Sequence, residues 1–324
     1  MYKENLMSSE EKVFCNQVAD LIKKTLNLSD EQVSIQCVLK NNGQQKNGLI
    51  VRSSDGNAAP TIYLNDAFRE FLAGKSVEKI VEEIAAIIKT HQSKNIHIPR
   101  TYGEAKCSLY AQVINAAANK DLLKGIPHRK LADSELAVIA RVSVDIEGNR
   151  GSYIVKNELL ENWSMTKDEV IDQAIANTNS VQPSFMGMAE MLRETMGVEI
   201  DDEMIAELFP SEEEKMYVLT NSDKVYGASM LLNKELLATI NERVGDYYII
   251  PSSIHEVIIV PESAGVDLES LEQMVHDVNR REVAPEDVLS DKIFRFNAKT
   301  NKLEVAGQHQ EQKEEKAHKK GLAV

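Results

Sequence analysis

Two apolar runs that each end at a proline constrain the last third of the chain more than any other feature. Residues 247–251 and 257–261 flank a polar insert that contains Ser252, Ser253, His255 and Glu256. Short apolar runs that are bounded by turn-forming residues predict buried strands. We therefore expect a hairpin of two buried strands at 247–261, with a tight turn through the polar insert.

Other segments of the chain predict a mixture of helices and hairpins. Apolar residues recur at helical spacing over about 9–27, behind a capping box that begins at Ser8, and again from Ser76 to about His91. Strands are expected at 33–39 and 49–52, in hairpins at 136–155 and 293–305, and at 225–231. Residues 183–196 and 201–208 are expected to be helical.

An asparagine follows a predicted strand and precedes a predicted helix three times, at Asn65, Asn157 and Asn233. Asparagine suits a helix N-cap because its side-chain oxygen accepts a hydrogen bond from an unpaired helix amide. The recurrence predicts repeated strand–strand–helix units. The expected fold class is α+β, with largely antiparallel or mixed sheets and with helices packed on one face.

The length of 324 residues and the hydrophobic content of 43% suit one large body or two medium-sized domains. We expect an N-terminal helix at 1–29, a first α/β lobe at 30–125 and a second α/β lobe at 126–306. Residues 308–316 have no apolar side chain to bury, so a disordered charged tail is expected at 307–324.

The formal net charge of −14 argues against general nucleic-acid binding, which needs many lysines and arginines directed at phosphates. Part of the negative charge is concentrated at 199–214, which holds eight acidic residues and no basic one. This acidic segment is either a solvated surface or a contact site for another protein. No cofactor is predicted.

The first residues of the chain lack the apolar core of a signal peptide, and no run approaches the ~18 apolar residues of a membrane span. The three cysteines, Cys15, Cys37 and Cys107, are odd in number and widely separated. They fit reduced thiols, so we expect a cytoplasmic protein without a membrane partner.

The polar insert invites two catalytic hypotheses. His255-Glu256 begins like a zinc-protease helix, but that motif needs a second histidine at position 259, which is isoleucine. A mononuclear metal site that joins His255 and Glu256 to the distant His128 or His97 stays open, although no ligand spacing supports it.

The second hypothesis takes Ser252 or Ser253 as a nucleophile and His255 as its base. A nucleophile elbow requires small residues around the serine and a helix after it, whereas proline precedes this pair and a strand follows. The alternative is a turn whose hydroxyls and imidazole satisfy backbone groups at the end of a sheet.

A basic cluster at His128, Arg129 and Lys130 lies between a predicted helix and a predicted strand. It is interpreted either as a solvated loop or as a site for an anion or an acidic segment, such as 199–214 of the same chain. The candidate functional residues are therefore Ser252, Ser253, His255, Glu256, His128 and Arg129.

Five motifs carry a resemblance to a known family: TIYLN at 61–65, NKDLLKGIPHR at 119–129, YVLTN at 217–221, PSSIHEV at 251–257 and VAPEDVLSD at 283–291. With them the chain resembles the uncharacterised bacterial family catalogued as domain of unknown function 5688, seen in gut anaerobes of the Firmicutes. The resemblance spans roughly residues 30–297. It implies no activity.

The sequence thus leaves the function unknown and favours a cytoplasmic, non-enzymatic protein-binding or regulatory protein. The alternative is an enzyme of unrecognised class that uses the serine, histidine and glutamate of the 251–256 turn.

Overall fold

The computed structural model describes residues 8–52, 61–92, 98–132, 134–146, 149–196 and 216–307. The chain forms two compact units. The first unit lies within residues 1–100 and 143–153, and the second lies within 101–142 and 154–324. The predicted lobes at 30–125 and 126–306 stay a prediction, which limited proteolysis would test by showing where the chain is first cut.

The first unit packs three helices on a small antiparallel sheet. Its elements are α1 (Ser9–Leu26), β1 (Val33–Leu39), β2 (Gln45–Val51), β3 (Thr61–Tyr63), α2 (Leu64–Leu72) and α3 (Val77–Gln92), and the strand order is β1-β2-β3. The Ser8 hydroxyl accepts from the Glu11 amide at 3.0 Å and so caps α1. Residues on one face of α1 and of α3 share a core with the sheet, which confirms the two amphipathic helices that the periodicity predicted.

The second unit is larger. Its first half contains α4 (Tyr102–Ala105), β4 (Leu109–Asn115), α5 (Lys120–Leu123), β5 (His128–Lys130) and the first part of β6 (Leu136–Ile146). After the return strand β7 (Asn149–Ile154) it continues with α6 (Asn157–Trp163) and α7 (Lys167–Asn179). Its second half contains β8 (Pro183–Gly187), α8 (Met188–Met196), β9 (Tyr217–Asn221), a 3-10 helix (Gly227–Leu232), α9 (Lys234–Val244), β10 (Tyr247–Ile250), β11 (Val257–Pro261), α10 (Leu268–Arg281), β12 (Phe294–Asn297) and β13 (Lys302–Val305). The tip of the β6–β7 hairpin, at 143–153, belongs to the first unit.

Two sheets organise the second unit. One has six strands in the order β13-β12-β10-β11-β9-β8, and the other has the order β4-β6-β5, with β7 also paired to β6. The neighbouring strands whose register the structure defines are antiparallel. Antiparallel sheets combined with helices confirm the α+β class.

The hairpin at 247–261 lies in the middle of the six-stranded sheet. Tyr247 pairs with Pro261 and Ile250 pairs with Ile258. Tyr247, Ile249, Ile250, Val257, Ile259 and Val260 are at most 2% exposed. The two buried strands are therefore confirmed. Residues on both faces of each strand are buried, which explains why the apolar runs are continuous rather than alternating.

The tight turn predicted within this hairpin is wrong. Residues 251–256 form a longer loop that pairs with residues 287–290 instead of closing on itself. The Ile254 amide donates to the Asp287 carbonyl at 2.8 Å, and Ser253 forms a β-bridge with Val288. In return, the Leu289 and Ser290 amides donate to the Ser252 and Pro251 carbonyls. The buried loop can leave the sheet because this distant segment satisfies its backbone groups.

Two element predictions near this sheet need correction. Residues 227–232 form a 3-10 helix rather than a strand. Residues 227–231 are all buried, and a short buried run does not distinguish a strand from a helix. Residues 183–187 form the edge strand β8, paired with β9, and the helix begins only at Met188. Proline is tolerated at the first residue of an edge strand. The helix predicted at 201–208 lies outside the described residues.

The three asparagines have different roles, so the capping argument for repeated units is wrong for two of them. Asn233 caps α9, where its side chain accepts from the Leu236 amide at 3.0 Å. Asn65 lies inside α2, and Asn157 is the first residue of α6, after the N-cap residue. The disordered tail predicted at 307–324 lies outside the described residues from 308 onward.

Candidate functional site

The two serines of the 251–256 loop face the protein interior. Ser252 and Ser253 are 6% and 5% exposed. The Ser253 hydroxyl accepts from the His255 backbone amide at 3.0 Å, which is the local turn bond that serine commonly forms. Ser253 therefore has the geometry of a turn former, and the His255 imidazole contacts other groups.

The His255 ring lies between a backbone amide and a carboxylate. Its Nδ1 accepts from the Tyr226 amide at 3.3 Å, and its Nε2 lies 3.5 Å from Oδ1 of Asp287. A neutral imidazole with its proton on Nε2 satisfies both contacts. The Asp287 carboxylate raises the pKa of His255 above its ordinary value, with a smaller contribution in the same direction from Glu256, whereas burial opposes the change.

An aromatic stack extends this contact to the neighbouring sheet. The Tyr226 ring stacks on His255 with 5.4 Å between centroids and on Tyr110 with 5.8 Å. The Arg141 guanidinium lies 5.1 Å from the Tyr226 ring centroid, and its Nε donates to the Tyr110 hydroxyl at 3.0 Å. Stacking and the cation–π contact hold Tyr226 in a left-handed backbone conformation, with φ of 53°.

Gly227 brings the 3-10 helix directly onto the loop. A Cβ atom at this position would lie 2.0 Å from the Thr220 Oγ1 and 2.4 Å from the His255 carbonyl oxygen. These two oxygens are themselves joined, because the Thr220 hydroxyl donates to the His255 carbonyl at 2.8 Å. Only glycine allows such an approach, so Gly227 fixes the position of the loop.

Sequence reasoning found Ser252, Ser253, His255 and Glu256 but missed the side chains that surround them. Tyr110, Arg141, Tyr226 and Asp287 come from four distant segments, and no local spacing connects them to position 255. One signal was available for Asp287, since it lies in the motif at 283–291 that carries the family resemblance.

His128 and Arg129 do not join this cluster. The His128 Nδ1 lies 3.1 Å from the Ile126 carbonyl oxygen. Arg129 donates to the carboxylates of Asp172 at 2.7 Å and Asp168 at 3.0 Å, and these partners raise its pKa. Arg129 therefore attaches β5 to α7, and the acidic segment at 199–214 lies outside the described residues.

The described residues hold no group of three or more histidines, cysteines, aspartates or glutamates arranged to bind a metal ion. His97 of the metal hypothesis lies outside them. Cys15 is buried, and burial raises the pKa of its thiol to about 11, whereas Cys37 and Cys107 are exposed.

A groove of about 980 Å³ opens elsewhere in the second unit. Its walls are residues 129–132 and Ser134, α7, the start of α9 with the end of the 3-10 helix, and β13. The lining is largely apolar and includes Leu131, Ile175, Leu231, Leu232, Leu237, Phe296, Leu303 and Val305. This volume lies at the upper end of the range of about 300–1,000 Å³ that ligand sites occupy.

The groove is basic although the chain is acidic. Its lining carries four cationic side chains, Arg129, Lys130, Lys234 and Lys302, and two anionic ones, Asp172 and Glu304. Arg129 and Asp172 neutralise each other. The three lysines are exposed and have no ion pair with any other described residue.

The fold and these two regions define an α+β protein with a closed histidine loop and an open apolar groove. The chain belongs to a family of unknown function (DUF5688), whose model matches residues 11–298. The family resemblance carried by the sequence motifs is thereby confirmed. No curated protein and no solved structure gives a significant match. None of the described helices is both long and apolar enough to cross a membrane.

Proposed function

We propose that this chain is a cytoplasmic, non-enzymatic binding protein that recognises a segment of another protein in the groove of the second unit. The observation that carries the proposal is the groove itself, which has a volume of about 980 Å³ and is lined by apolar side chains together with three exposed lysines that have no ion pair within the described part of the chain. Surface concavities of this kind are the usual sites where proteins bind ligands.

The apolar lining supplies the affinity in this proposal. Burial of apolar surface contributes about 25 cal/mol per Å², so a few apolar side chains of a partner are enough for binding. Ile175 and Leu232 are only partly buried in the absence of a partner. They therefore have apolar surface available for one.

The competing function, an enzyme that uses the 251–256 cluster, has weaker support in the geometry. A serine nucleophile needs its hydroxyl near the imidazole of the base. The Ser253 hydroxyl instead accepts from the His255 backbone amide, and the His255 ring contacts Tyr226 and Asp287. Replacement of His255 and Glu256 by alanine tests the enzyme: loss of a host phenotype in a variant that still folds would favour it.

The acidic segment at 199–214 is a second candidate for binding another protein, because it holds eight acidic residues and no basic one. It would contact a basic protein. Neutralisation of its eight acidic residues would then abolish co-purification of that partner, while groove variants would leave it unchanged.

The groove is tested with a random peptide library displayed on phage and selected on the purified full chain. Affinity of the selected peptides is measured by isothermal titration calorimetry. Ile175→Arg places a charged side chain in the groove and should weaken binding at least about tenfold. Ile87→Arg is the matched control, because Ile87 is an exposed isoleucine of the first unit, 46% exposed, that does not line the groove.

Equal binding by the wild type and Ile87→Arg, with loss in Ile175→Arg, supports the proposal. Failure to select any peptide, or binding that Ile175→Arg leaves unchanged, would overturn it. Circular dichroism of each variant shows that the fold is intact.

A further inference from the structure

The last strand of the six-stranded sheet runs along the groove. β13 pairs with β12 on one side and has no strand on the other within the described part of the chain. Lys302, Leu303, Glu304 and Val305 all line the groove, although successive side chains of a strand point to opposite faces of its sheet. The groove therefore meets the edge of β13, where its backbone groups are, rather than one of its faces.

The hydrogen bonds of the hairpin show which backbone groups face the groove. The Ala306 amide donates to the Ile293 carbonyl at 2.9 Å, so Ala306 points its backbone groups towards the neighbouring strand. In an antiparallel pair this direction alternates along the strand. Leu303 and Val305 therefore direct their amides and carbonyls outward, and within the described residues these groups have no backbone partner on that side.

An open sheet edge can pair with another chain, and proteins often limit this by keeping the edge strand short. Here the edge is only four residues long and lies beside an apolar surface formed by other elements. An edge strand next to an apolar groove is the arrangement with which proteins bind extended peptides, since the backbone supplies affinity and the groove selects alternate side chains.

The charges at the rim select the kind of peptide. Lys130, Lys234 and Lys302 belong to three different elements that surround the groove, and all three are exposed. Glu304 is already bound, because its carboxylate accepts from the Asn297 side chain at 3.0 Å. The groups that remain available for a ligand are therefore cationic.

From these observations we infer that the groove binds an extended acidic peptide segment, which adds as a strand to β13. This inference rests on the proposed function. Its backbone pairs with Leu303 and Val305. Its apolar side chains fill the groove, and its carboxylates contact Lys130, Lys234 and Lys302.

The experiment uses the tightest peptide from the phage selection and the full chain. Peptides are synthesised with single N-methyl groups at each position in turn, and their affinities are measured by calorimetry. N-methylation should weaken binding about tenfold at every second peptide position, where the amide points towards β13. At the positions in between, where the amide points away from β13, it should have little effect. Hydrogen exchange should slow at the Leu303 and Val305 amides when the peptide is bound.

Charge selection is tested with Lys302→Glu and Lys234→Glu. Each should weaken an acidic peptide about tenfold, and a peptide in which lysine replaces the facing acid should recover binding. Lys299→Glu is the matched control, because Lys299 is exposed in the turn of the same hairpin and does not line the groove.

The outcomes separate this inference from the proposed function. Peptides that bind in the groove without any dependence on N-methylation or on the lysines would overturn the inference while the proposed function stands. If no peptide is selected, both fall. Binding of oleate in the groove with no peptide binding, or a dimer of the chain that forms through β13 and blocks the edge, would also overturn the inference.

Discussion

Replacement of Gly227 by alanine tests how the 251–256 loop is held in place. A Cβ atom at this position would lie 2.0 Å from the Thr220 hydroxyl oxygen, 2.4 Å from the His255 carbonyl oxygen and 2.9 Å from the Asn221 amide nitrogen. The Thr220 side chain can rotate, but rotation breaks its hydrogen bond to the His255 carbonyl. The carbonyl itself moves only with the loop, which the Ile254 amide attaches to Asp287.

The expected cost follows from two contributions. Insertion of a methyl group into a packed site costs about 1–3 kcal/mol. Loss of the bond between Thr220 and the His255 carbonyl adds about 1 kcal/mol. We therefore expect Gly227→Ala to lower the free energy of unfolding of the second unit by about 2–4 kcal/mol.

Equilibrium unfolding in urea, followed by the fluorescence of Trp163, measures this change. Trp163 is the only tryptophan of the chain and belongs to the second unit, so its signal reports on the unit that carries the substitution. Gly103→Ala is the matched control: no heavy atom lies within 4 Å of a Cβ at Gly103, which is in α4. The control should be neutral or slightly stabilising. A loss below about 0.5 kcal/mol for Gly227→Ala would refute the close approach.

Three further substitutions test individual contacts. Asp287→Asn should lower the pKa of His255, measured by NMR titration, because the aspartate is the main cause of its rise; an unchanged value would contradict the contact. Since the folded pKa is raised, this pair stabilises the fold at acidic pH, and its contribution should disappear as pH rises through that pKa. Thr178→Val should cost about 1–3 kcal/mol in urea unfolding, because it leaves the Ala111 amide unpaired, whereas Thr178→Ser should cost less. Arg129→Met should lower the free energy of unfolding by no more than about 1 kcal/mol, because the arginine is 35% exposed and solvent screens its ion pairs. A larger loss in urea unfolding would contradict this screening.

Local patterns predicted the elements whose residues interact with near neighbours. The helix that begins after Ser8 and the strands of the 247–261 hairpin were predicted because capping residues and apolar runs act within a few positions. The 3-10 helix at 227–232 was missed for a related reason. Its run of buried residues has neither the alternation of a strand nor the period of an amphipathic helix, so burial concealed the type of element.

Prediction of the candidate site would have required contacts between residues that are far apart in the sequence, and local spacing does not encode such contacts. The 251–256 loop was predicted as a tight turn because its partner segment lies more than thirty residues further along, at 287–290. Tyr110 and Arg141 come from the other sheet and are connected to His255 through Tyr226. The groove likewise combines residues from β5 to β13, and the edge of β13 becomes visible only when the strand order is known.

The two regions differ in what they leave for a ligand. In the loop, the Ser253 hydroxyl and both His255 ring nitrogens already contact protein groups, so a ligand would have to replace existing interactions to bind there. In the groove, exposed lysines and outward backbone groups of Leu303 and Val305 lie beside apolar surface. A partner can bind these groups without replacing a hydrogen bond or an ion pair to another described residue. The polar residues of the 251–256 loop are therefore expected to stabilise the fold. Binding is expected instead beside β13, in the hairpin at 293–305, whose sequence carries no sign of a site.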